Sequence, residues 1–413
     1  MTTDILDRIP THVPPSLVVR KNPWHGGPVQ PHDWLREVVG DSGFRYSPYN
    51  PLPQDVDDGC WIAVGAKEIR AVLIDHRNFI SRDSTGVSKL IGEDLVLAPL
   101  ESDAPDHQRL RSIVQPIFQP NAVKGRQDRI RALSMELIGE IARNHRCEFI
   151  RDFAVKLPTQ IFLEIMGLPV ADLPRFLEWE DVAMGRDGPE RMPETWLEIR
   201  AYLEAAIEER RQAPRDDVLS RIVEETQAMG KAPQAEALGM AMILFVAGLD
   251  TVVTALGWHF KYLAEHPEDQ ERLRREPALM PAAVDELLRA FSFTTLTRTA
   301  VRDIEIGGVV IKAGERVVCP GALGSRDRHD YVHPDQVDFD RGSLRHLAFG
   351  FGQHICVGMH LARLELITAL ECWLANMPPF RMPDGYRPPA HGGISFGLDA
   401  LELEWESSLP GWR

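Results

Sequence analysis

One short stretch of the chain combines a single cysteine with glycines, a histidine and aromatic residues. It reads FGFGQHICVG over residues 349–358, in the spacing F-x-x-G-x-x-x-C-x-G from Phe349 through Gly352 and Cys356 to Gly358. A helical pattern follows directly, and the N-terminal end of a helix favours a thiolate. Glycines allow the backbone to approach a flat ligand closely. The stretch predicts a thiolate ligand loop; the alternative is a buried thiol that only packs as a small apolar residue.

A second candidate lies in AGLDT, residues 247–251, where Asp250 and Thr251 are adjacent inside an apolar run. A carboxylate and a hydroxyl within a buried helix cost free energy unless both find partners. A threonine hydroxyl can bond back to a carbonyl one turn earlier, or open the helix locally for water. The pair is therefore either a proton-relay site or a capped threonine in a kinked helix.

The third pattern is E-x-x-R at Glu286 and Arg289, 70 residues before the cysteine. The same spacing recurs at Glu140/Arg143, Glu208/Arg211 and Glu271/Arg274. We interpret these three as surface pairs, because residues three apart are neighbours on a helix.

Composition limits the class of protein. The chain has 413 residues, 44% of them hydrophobic, and a net charge of −15, which argues against nucleic acid or an anionic membrane as partner. Its five cysteines form no CxxC pair, which argues against a disulfide framework or a zinc site and fits a reducing cytosol. The first 20 residues contain no apolar core flanked by basic residues, so we expect neither a signal peptide nor an anchor.

Hydrophobic periodicity predicts a mainly α protein with small β-sheets in one domain, 1–413. We expect an irregular Pro-rich arm (1–55), a strand at 61–64, a loop at 80–104, helices from 106 to about 230, a central helix at 233–265, a hairpin around 307–308, and the ligand loop with its following helix at 345–375. The 21-residue run 238–258 carries one charge and is long enough to cross a bilayer. We interpret it as a buried core helix because Asp250 and Thr251 lie within it.

These patterns together resemble the cytochrome P450 family, most closely its soluble bacterial branch that hydroxylates camphor. The likeness runs from about residue 85 to the C-terminus and is strongest in FVAGLDTVV, DELLRAFS and the cysteine loop through HLARLEL. It implies a single-domain cytochrome P450 fold, with a long central helix over haem b and residues 80–104 capping the substrate. It also implies that Cys356 is the axial ligand of the haem iron, which favours O–O cleavage.

The resemblance assigns further roles to single residues. Phe349 and Gly358 belong to the cofactor-binding loop, Asp250 and Thr251 relay protons to dioxygen, and Gly248 leaves room for O₂. A structural network and a set of partners for the haem propionates are also implied. Their residues are Glu286, Arg289 and Arg341 for the network, and His107, Arg111, Arg298 and His354 for the propionates.

Two departures from the camphor enzymes concern the substrate. Leu95 stands where they have a tyrosine that bonds the camphor ketone, and Leu296 stands where they have an aspartate near a propionate. Losing a polar anchor disfavours a ketone substrate. We expect a more apolar pocket and a terpenoid hydrocarbon, ether or norisoprenoid; ordinary core packing is the alternative for each lining residue. The lining candidates are Leu95, Leu97, Leu100, Met184, Ile243, Val246, Thr294, Leu296, Ile394 and Ser395.

Electron supply follows from the same resemblance: NADH, a flavin-dependent ferredoxin reductase and a [2Fe–2S] ferredoxin. Because ferredoxins are acidic, we expect a local basic patch with Arg111, Arg345 and Arg363 as candidates. Arg186 is a candidate partner for Asp250. The expected protein is a monomer in the bacterial cytoplasm that binds neither nucleic acid nor membrane.

Three rival functions stay open at this level. A peroxide-driven peroxygenase uses the same thiolate haem, but such family members usually lack the acid–alcohol pair. A non-catalytic haem-thiolate sensor or terpenoid-binding protein would need an output segment, and the sequence shows none beyond the N-terminal arm. A haem-free helical binding protein leaves the cysteine loop unexplained.

Overall fold

The computed structural model describes residues 9–25, 30–52, 58–92, 94–183, 189–342 and 344–406. The helices are α1 Pro31–Val39, α2 Ala66–Ile74, α3 Val87–Ile91, α4 Asp106–Val114, α5 Pro120–Lys124, α6 Gln127–Ile141, α7 Lys156–Met166, α8 Leu173–Ala183, α9 Met192–Gln212, α10 Val218–Met229, α11 Pro233–Glu265, α12 Pro267–Arg275, α13 Met280–Ala290, α14 Gly321–Gly324 and α15 Met359–Asn376. The strands are β1 Phe44–Ser47, β2 Cys60–Ala63, β3 Phe79–Ile80, β4 Arg146–Glu148, β5 Thr295–Ala300, β6 Ile304–Ile306, β7 Val309–Ile311, β8 Arg316–Pro320, β9 Ala390–His391, β10 Gly397–Leu398 and β11 Glu402–Glu404.

The chain forms two compact units. Unit 1 comprises residues 1–89, 285–356 and 390–397, and unit 2 comprises residues 90–284, 357–389 and 398–413. Unit 1 contains the cysteine loop, and unit 2 contains the long helix α11.

Unit 1 is built around a five-stranded sheet in the order β1-β2-β8-β5-β3. Strand β2 runs parallel to β8, whereas the other neighbouring pairs are antiparallel. All four residues of β2 and the last four of β8 are buried, as expected for inner strands that are covered on both faces. The sheet therefore gives β5, which carries Thr295–Ala300, an inner position with a strand on each side.

A buried carboxylate organises the irregular segment 325–341 of unit 1. Glu286, 1% exposed, accepts from both Nε and Nη2 of Arg289 at 2.7 Å and from Nε of Arg341 at 3.0 Å. The two guanidinium groups donate in turn to backbone carbonyls of this segment, at residues 325, 332, 333, 334 and 336. Because buried carbonyls need donors, this ion-pair network replaces the ladder that a helix or sheet would supply.

Unit 2 has α11 as its central element. Most of this helix is buried, which fits a sequence that is apolar on every side. An aromatic cluster fixes its C-terminal half, with Phe260 stacked on Phe149 at a centroid distance of 4.0 Å and packed edge-on against Trp373 of α15 at 5.1 Å. Such pairs contribute about 0.5–1.5 kcal/mol each beyond their buried area. The cluster therefore fixes α15, the helix that follows the cysteine loop, against α11 within unit 2.

The apolar run is confirmed as one long helix. Helix α11 begins and ends at the predicted bounds, Pro233 and Glu265. Among the described residues it is the one helix long and apolar enough to cross a membrane, and 72% of its most apolar window is buried inside the protein. Burial of that extent fits the predicted core helix.

The prediction of an irregular N-terminal arm is wrong for residues 30–52. This segment contains α1 and β1, and β1 pairs with β2. Helix α1 begins with Pro31 and buries one face through His32, Leu35 and Val39. The abundance of proline concealed this short amphipathic pattern. Residues 1–8, 26–29 and 53–55 of the arm lie outside the described residues.

The hairpin predicted around Gly307 is confirmed: β6 and β7 form it, and the following strand β8 joins the large sheet. The prediction of a loop at 80–104 is wrong for residues 87–91, which form the short helix α3; residue 93 lies outside the described part. A helix of five residues is too short for hydrophobic periodicity to reveal.

The other E-x-x-R motifs behave in three ways. Glu208 and Arg211 form the expected surface pair. Glu140 instead pairs with Lys156 at 3.4 Å. Arg274 donates to the carbonyl oxygens of residues 374, 377 and 378 at the C-terminal end of α15, where a cation is favoured. The surface-pair interpretation is therefore wrong for Glu140/Arg143 and Glu271/Arg274.

Glu365 and His259 are two of the buried titratable side chains of unit 2, and burial shifts the pKa of each. Glu365 of α15 is 3% exposed, and burial raises the pKa of its carboxyl to about 8. His259 of α11 is 1% exposed, and burial lowers its pKa to about 3. Both side chains are therefore neutral at pH 7.

The first prediction concerns the Glu286 network. We expect Arg289→Ala to lower the free energy of unfolding by about 3–5 kcal/mol, because it removes the two-point partner of a buried carboxylate and the donor to the carbonyls of Ser325 and Pro334. Arg211→Ala removes the arginine of an exposed pair with the same spacing and should cost less than about 1 kcal/mol. Urea unfolding followed by circular dichroism measures both, and equal losses would contradict the structural role of the network.

The second prediction concerns Glu365 and pH. The folded carboxyl keeps its proton up to about pH 8, whereas in the unfolded chain it ionises near the ordinary value of 4.5. Stability linked to this group is therefore complete below about pH 4.5 and is lost as pH rises toward 8. Glu365→Gln keeps the neutral shape, so its stability relative to wild type should increase by as much as about 4 kcal/mol from pH 5 to pH 8.5.

Urea midpoints at several pH values test this second prediction. Glu371→Gln is the matched control, because Glu371 lies on the same helix but pairs with Arg131 at 2.6 Å. It should show no gain with pH. A constant difference between wild type and Glu365→Gln across the range would show that Glu365 ionises normally.

Candidate active site

Cys356 differs from the other cysteines in its surroundings. It is half-buried, whereas Cys60, Cys147, Cys319 and Cys372 are buried. Burial raises the pKa of each of these four thiols, to about 12 for Cys319. Since the thiolate is the metal-binding form, the other four are poor ligands. Cys356 is therefore the thiol best suited to bind a metal.

The loop that carries Cys356 is held in one conformation. Gly350 and Gly352 have φ angles of +72° and +76°, which disfavour any residue with a side chain. A Cβ on Gly352 would lie 3.0 Å from the carbonyl oxygen of Leu73, so the loop packs directly on the end of α2. The backbone N–H of Cys356 donates to the carbonyl of Phe349 at 2.9 Å. The loop thus presents the thiol at a defined place, three residues before α15.

Unit 1 also brings polar side chains to this region. Nε2 of His354 lies 3.1 Å from the hydroxyl of Ser81. Arg298 of β5 is 2% exposed and donates to the carbonyl of Thr297 at 2.7 Å. Leu296, two residues before it, lies against the loop, since a Cβ on Gly350 would be 3.2 Å from its Cδ1. The leucine found in place of aspartate therefore contributes an apolar contact to the ligand loop.

The acid–alcohol pair lies on α11 in unit 2. Asp250 is 5% exposed. The hydroxyl of Thr251 donates to the carbonyl oxygen of Ala247 at 2.8 Å, one turn earlier in an uninterrupted helix. The structure therefore shows the capped form of the threonine. The hydroxyl oxygen keeps lone pairs that can accept a further hydrogen bond.

Gly248 has a packing role in the same turn. A Cβ at this position would lie 3.1 Å from Cδ2 of Phe162 on α7. The missing side chain thus gives space to the Phe162 ring. The room for O₂ inferred from the resemblance stays a prediction.

Two of the predicted propionate partners share one helix of unit 2. His107, 4% exposed, and Arg111 lie one turn apart on α4, and Nε of Arg111 donates to Gln115 at 3.3 Å. Arg109, between them, forms a two-point ion pair with Glu236 at the start of α11, at 2.7 and 3.1 Å. The sequence analysis missed this pair, although it fixes α4 against α11.

Five of the predicted pocket residues lie in unit 2, and their role in binding substrate stays a prediction. Leu95 and Leu97 are buried, and the backbone of Val96 between them packs on α11, since a Cβ on Gly239 would be 2.1 Å from its oxygen. Ile243 is one turn further along the same face of α11, 6% exposed, and Val246 is half-buried. Leu100 is half-buried near the end of the capping segment. These five side chains are apolar, and each is buried or half-buried.

The remaining pocket candidates lie in unit 1. Thr294 bridges to Ser395, and the N–H of Thr295 donates to the carbonyl of Ile394 at 2.8 Å. The turn at 394–395 is therefore joined to the start of β5, close in sequence to Leu296. Met184 and Arg186 lie outside the described residues.

The three candidates for a basic patch are divided between the units. Arg345 is exposed in unit 1, and its backbone is fixed by Tyr331 and Arg70. Arg111 and Arg363 are half-buried in unit 2, and Gly358 caps the start of α15. The redox-partner face stays a prediction.

These residues fit a haem. Cys356 is half-buried in a glycine-containing loop. The same unit contains the buried Arg298 and also His354, whose ring lies within hydrogen-bond distance of Ser81. Such donors suit the carboxylates of haem, and a cysteine thiolate suits its iron. Cys356, Arg298 and His354 are the residues of unit 1 that would hold it, and the roles of His107 and Arg111 stay predictions.

Comparison with known proteins agrees with this chemistry. A cytochrome P450 family model matches residues 130–396. A probable cytochrome P450 127A1 from Sinorhizobium fredii is 35% identical over 96% of this chain and 97% of its own length. The crystal structure of CYP101J2 has a TM-score of 0.86 at 29% identity, covering 97% of this chain and 100% of that chain. The crystal structure of CYP101C1 has a TM-score of 0.85 at 31% identity with the same coverage.

The match in sequence and in fold extends over nearly the whole chain. The fold is mainly α with small sheets, and it is the single-domain fold of these structures. A thiol loop of the required spacing lies within the matched region. The chain therefore belongs to the cytochrome P450 family of haem-dependent monooxygenases.

Proposed function

We propose that this monooxygenase hydroxylates an unactivated C–H bond of a small hydrophobic substrate, a terpenoid or norisoprenoid, with O₂ and two electrons from NADH. The observation that carries the haem-thiolate chemistry is the environment of Cys356. It is the one thiol of five that is not buried, and its loop contains two glycines with positive φ angles. Bound haem would supply the activation of dioxygen and the transfer of oxygen to carbon.

The substrate class rests on the apolar lining. The lining candidates are mostly apolar: Leu95, Leu97 and Ile243 in unit 2, and Leu296 in unit 1. Leu95 cannot donate a hydrogen bond, so the site lacks the donor that would hold a ketone at this position. Orientation of the substrate would then depend on shape, which favours a compact hydrocarbon, ether or norisoprenoid.

Asp250 and Thr251 control the proton in this proposal. The hydroxyl of Thr251 donates its proton to the carbonyl of Ala247, which fixes the position of the hydroxyl oxygen. That oxygen can therefore accept a hydrogen bond at a defined place. The carboxyl of Asp250 is on the adjacent residue and is 5% exposed, so it is shielded from bulk water. Asp250 would supply the proton, and the Thr251 oxygen would position the proton-bearing group by accepting a hydrogen bond from it, without opening the site to solvent.

Electron supply by a [2Fe–2S] ferredoxin and its flavin-dependent reductase forms part of the proposal. An acidic ferredoxin needs a local positive surface on a chain whose net charge is −15. The exposed Arg345 supports such a surface in unit 1. Bacterial relatives support a bacterial, cytoplasmic enzyme.

The third prediction tests the ligand. Cys356→Ser should abolish the Soret band of the reduced CO complex at the thiolate position, because serine cannot provide the thiolate. Cys372→Ser is the control, since that thiol is buried and its pKa is raised; this variant should keep the band. A wild-type protein with a histidine-type CO band would refute the proposal.

The fourth prediction tests the proton relay. Thr251→Ala should bind substrate normally, but product formed per electron should fall about 10-fold or more, with peroxide as the other product. Thr226→Ala removes an equivalent threonine bonded to a carbonyl one turn earlier, Ile222 at 2.7 Å on α10. It should leave coupling unchanged, so a loss specific to Thr251 cannot come from the helix cap.

The measurement for this fourth prediction is NADH consumed, hydrogen peroxide released and product formed with saturating redox partners. Wild-type coupling in Thr251→Ala would contradict the relay. Turnover of wild type with hydrogen peroxide alone that exceeds the NADH-driven rate would instead identify a peroxygenase.

A further inference from the structure

Ser81 is a polar residue of unit 1 that neither the sequence patterns nor the proposed mechanism uses. It follows β3 directly and is 1% exposed. Its hydroxyl lies 3.1 Å from Nε2 of His354, two residues before Cys356 in the ligand loop. A buried hydroxyl directed at this ring has the geometry of a residue that orients a ligand-binding histidine.

The contacts at Nε2 indicate which ring nitrogen carries the proton. The amide nitrogen of Gln353 lies 3.4 Å from the same Nε2. An amide NH₂ only donates, so its approach is favourable when Nε2 has no hydrogen. The Ser81 hydroxyl then also donates to Nε2, and the ring proton is on Nδ1.

Backbone hydrogen bonds fix the position of Ser81 next to the ligand loop. Strand β3 pairs with β5, and the carbonyl of Ser81 accepts from the N–H of Ser84 at 3.1 Å in the turn that follows. The carbonyl of Ser84 accepts from the Thr297 hydroxyl at 2.7 Å. The turn is thus bonded to the strand that carries Arg298. One rigid sheet therefore positions both Arg298 and, through Ser81, the ring of His354.

We propose that Ser81 is a positioning residue for haem binding: its hydroxyl fixes the ring of His354 with the N–H on Nδ1, ready to donate to a haem carboxylate. This inference rests on the proposed haem-thiolate function. The proposed role of Ser81, directly after β3, depends on its hydroxyl group. A role in packing alone would depend only on the volume of the side chain.

The test uses the haem-loaded protein and measures haem transfer to excess apomyoglobin. Ser81→Ala should lose haem about 3- to 10-fold faster, as expected when one hydrogen bond is removed. The bending band of the haem carboxylates in the resonance Raman spectrum should also shift. Ser134→Ala is the control: it deletes a buried hydroxyl that donates to Ile130 at 2.8 Å in unit 2, and both readouts should stay at wild type.

Replacements of His354 test the tautomer separately. The amide nitrogen of asparagine occupies the place of Nδ1, whereas that of glutamine occupies the place of Nε2. His354→Asn should retain haem better than His354→Gln. Adding Ser81→Ala to His354→Asn should cause no further loss, because the atom that Ser81 holds is already gone.

Three results would each overturn the proposal: Ser81→Ala behaving like Ser134→Ala, its full effect persisting in the His354→Asn background, or His354→Gln retaining haem better than His354→Asn. Failure of the proposed function looks different. A wild-type protein that binds haem without a thiolate-type CO band would reject the thiolate ligand, while the haem-transfer series would still report on Ser81.

Discussion

A carboxylate with almost no access to water sets the structure of unit 1. Ionised Glu286 would be very costly in the interior without its partners, and Arg289 and Arg341 compensate for that burial. The same two guanidinium groups satisfy the carbonyls of the irregular segment 325–341. Segment 325–341 has little regular secondary structure and follows the short helix α14. The network therefore gives it a defined path toward the ligand loop. The chain that leads to the loop is bonded to this segment, since the N–H groups of Arg345 and Leu347 donate to the hydroxyls of Tyr331 and Ser325.

The chemistry proposed for this protein depends on groups that rigid elements hold in place. Cys356 stands in a loop pinned by Gly352 against α2, and Arg298 stands on an inner strand of the sheet. In unit 2 the Thr251 hydroxyl is tied to its own helix, and that helix is fixed by aromatic packing around Phe260. A site assembled from loops alone would not place donors and thiol within the tolerances that catalysis needs. The fold therefore matters to function chiefly as a means of restricting motion.

Several features were predictable from sequence because they have a strong local cause. Helix α11 is apolar on every side, so its bounds followed from the pattern and the flanking prolines at 233 and 267. The hairpin at Gly307 followed from alternation around two glycines. Other features had no local signal. Helix α1 was hidden by proline-rich composition, and Arg274 was taken for a surface cation although it caps α15, a helix 100 residues away in sequence.

The sequence by itself determined the family, and it supplied the candidates for the reactive groups, because the spacing around Cys356 and the adjacent Asp250 and Thr251 are local and specific. Tertiary structure alone decided which arginines form ion pairs, which are buried and which are exposed. It paired Arg109 with Glu236, buried Arg298 in the sheet and left Arg345 exposed, although all three are the same residue type. It also brought Ser81 to His354 across 273 positions of sequence. The physical reason is that a charge or hydroxyl acquires its role from its partners and its access to water, and distant segments supply both.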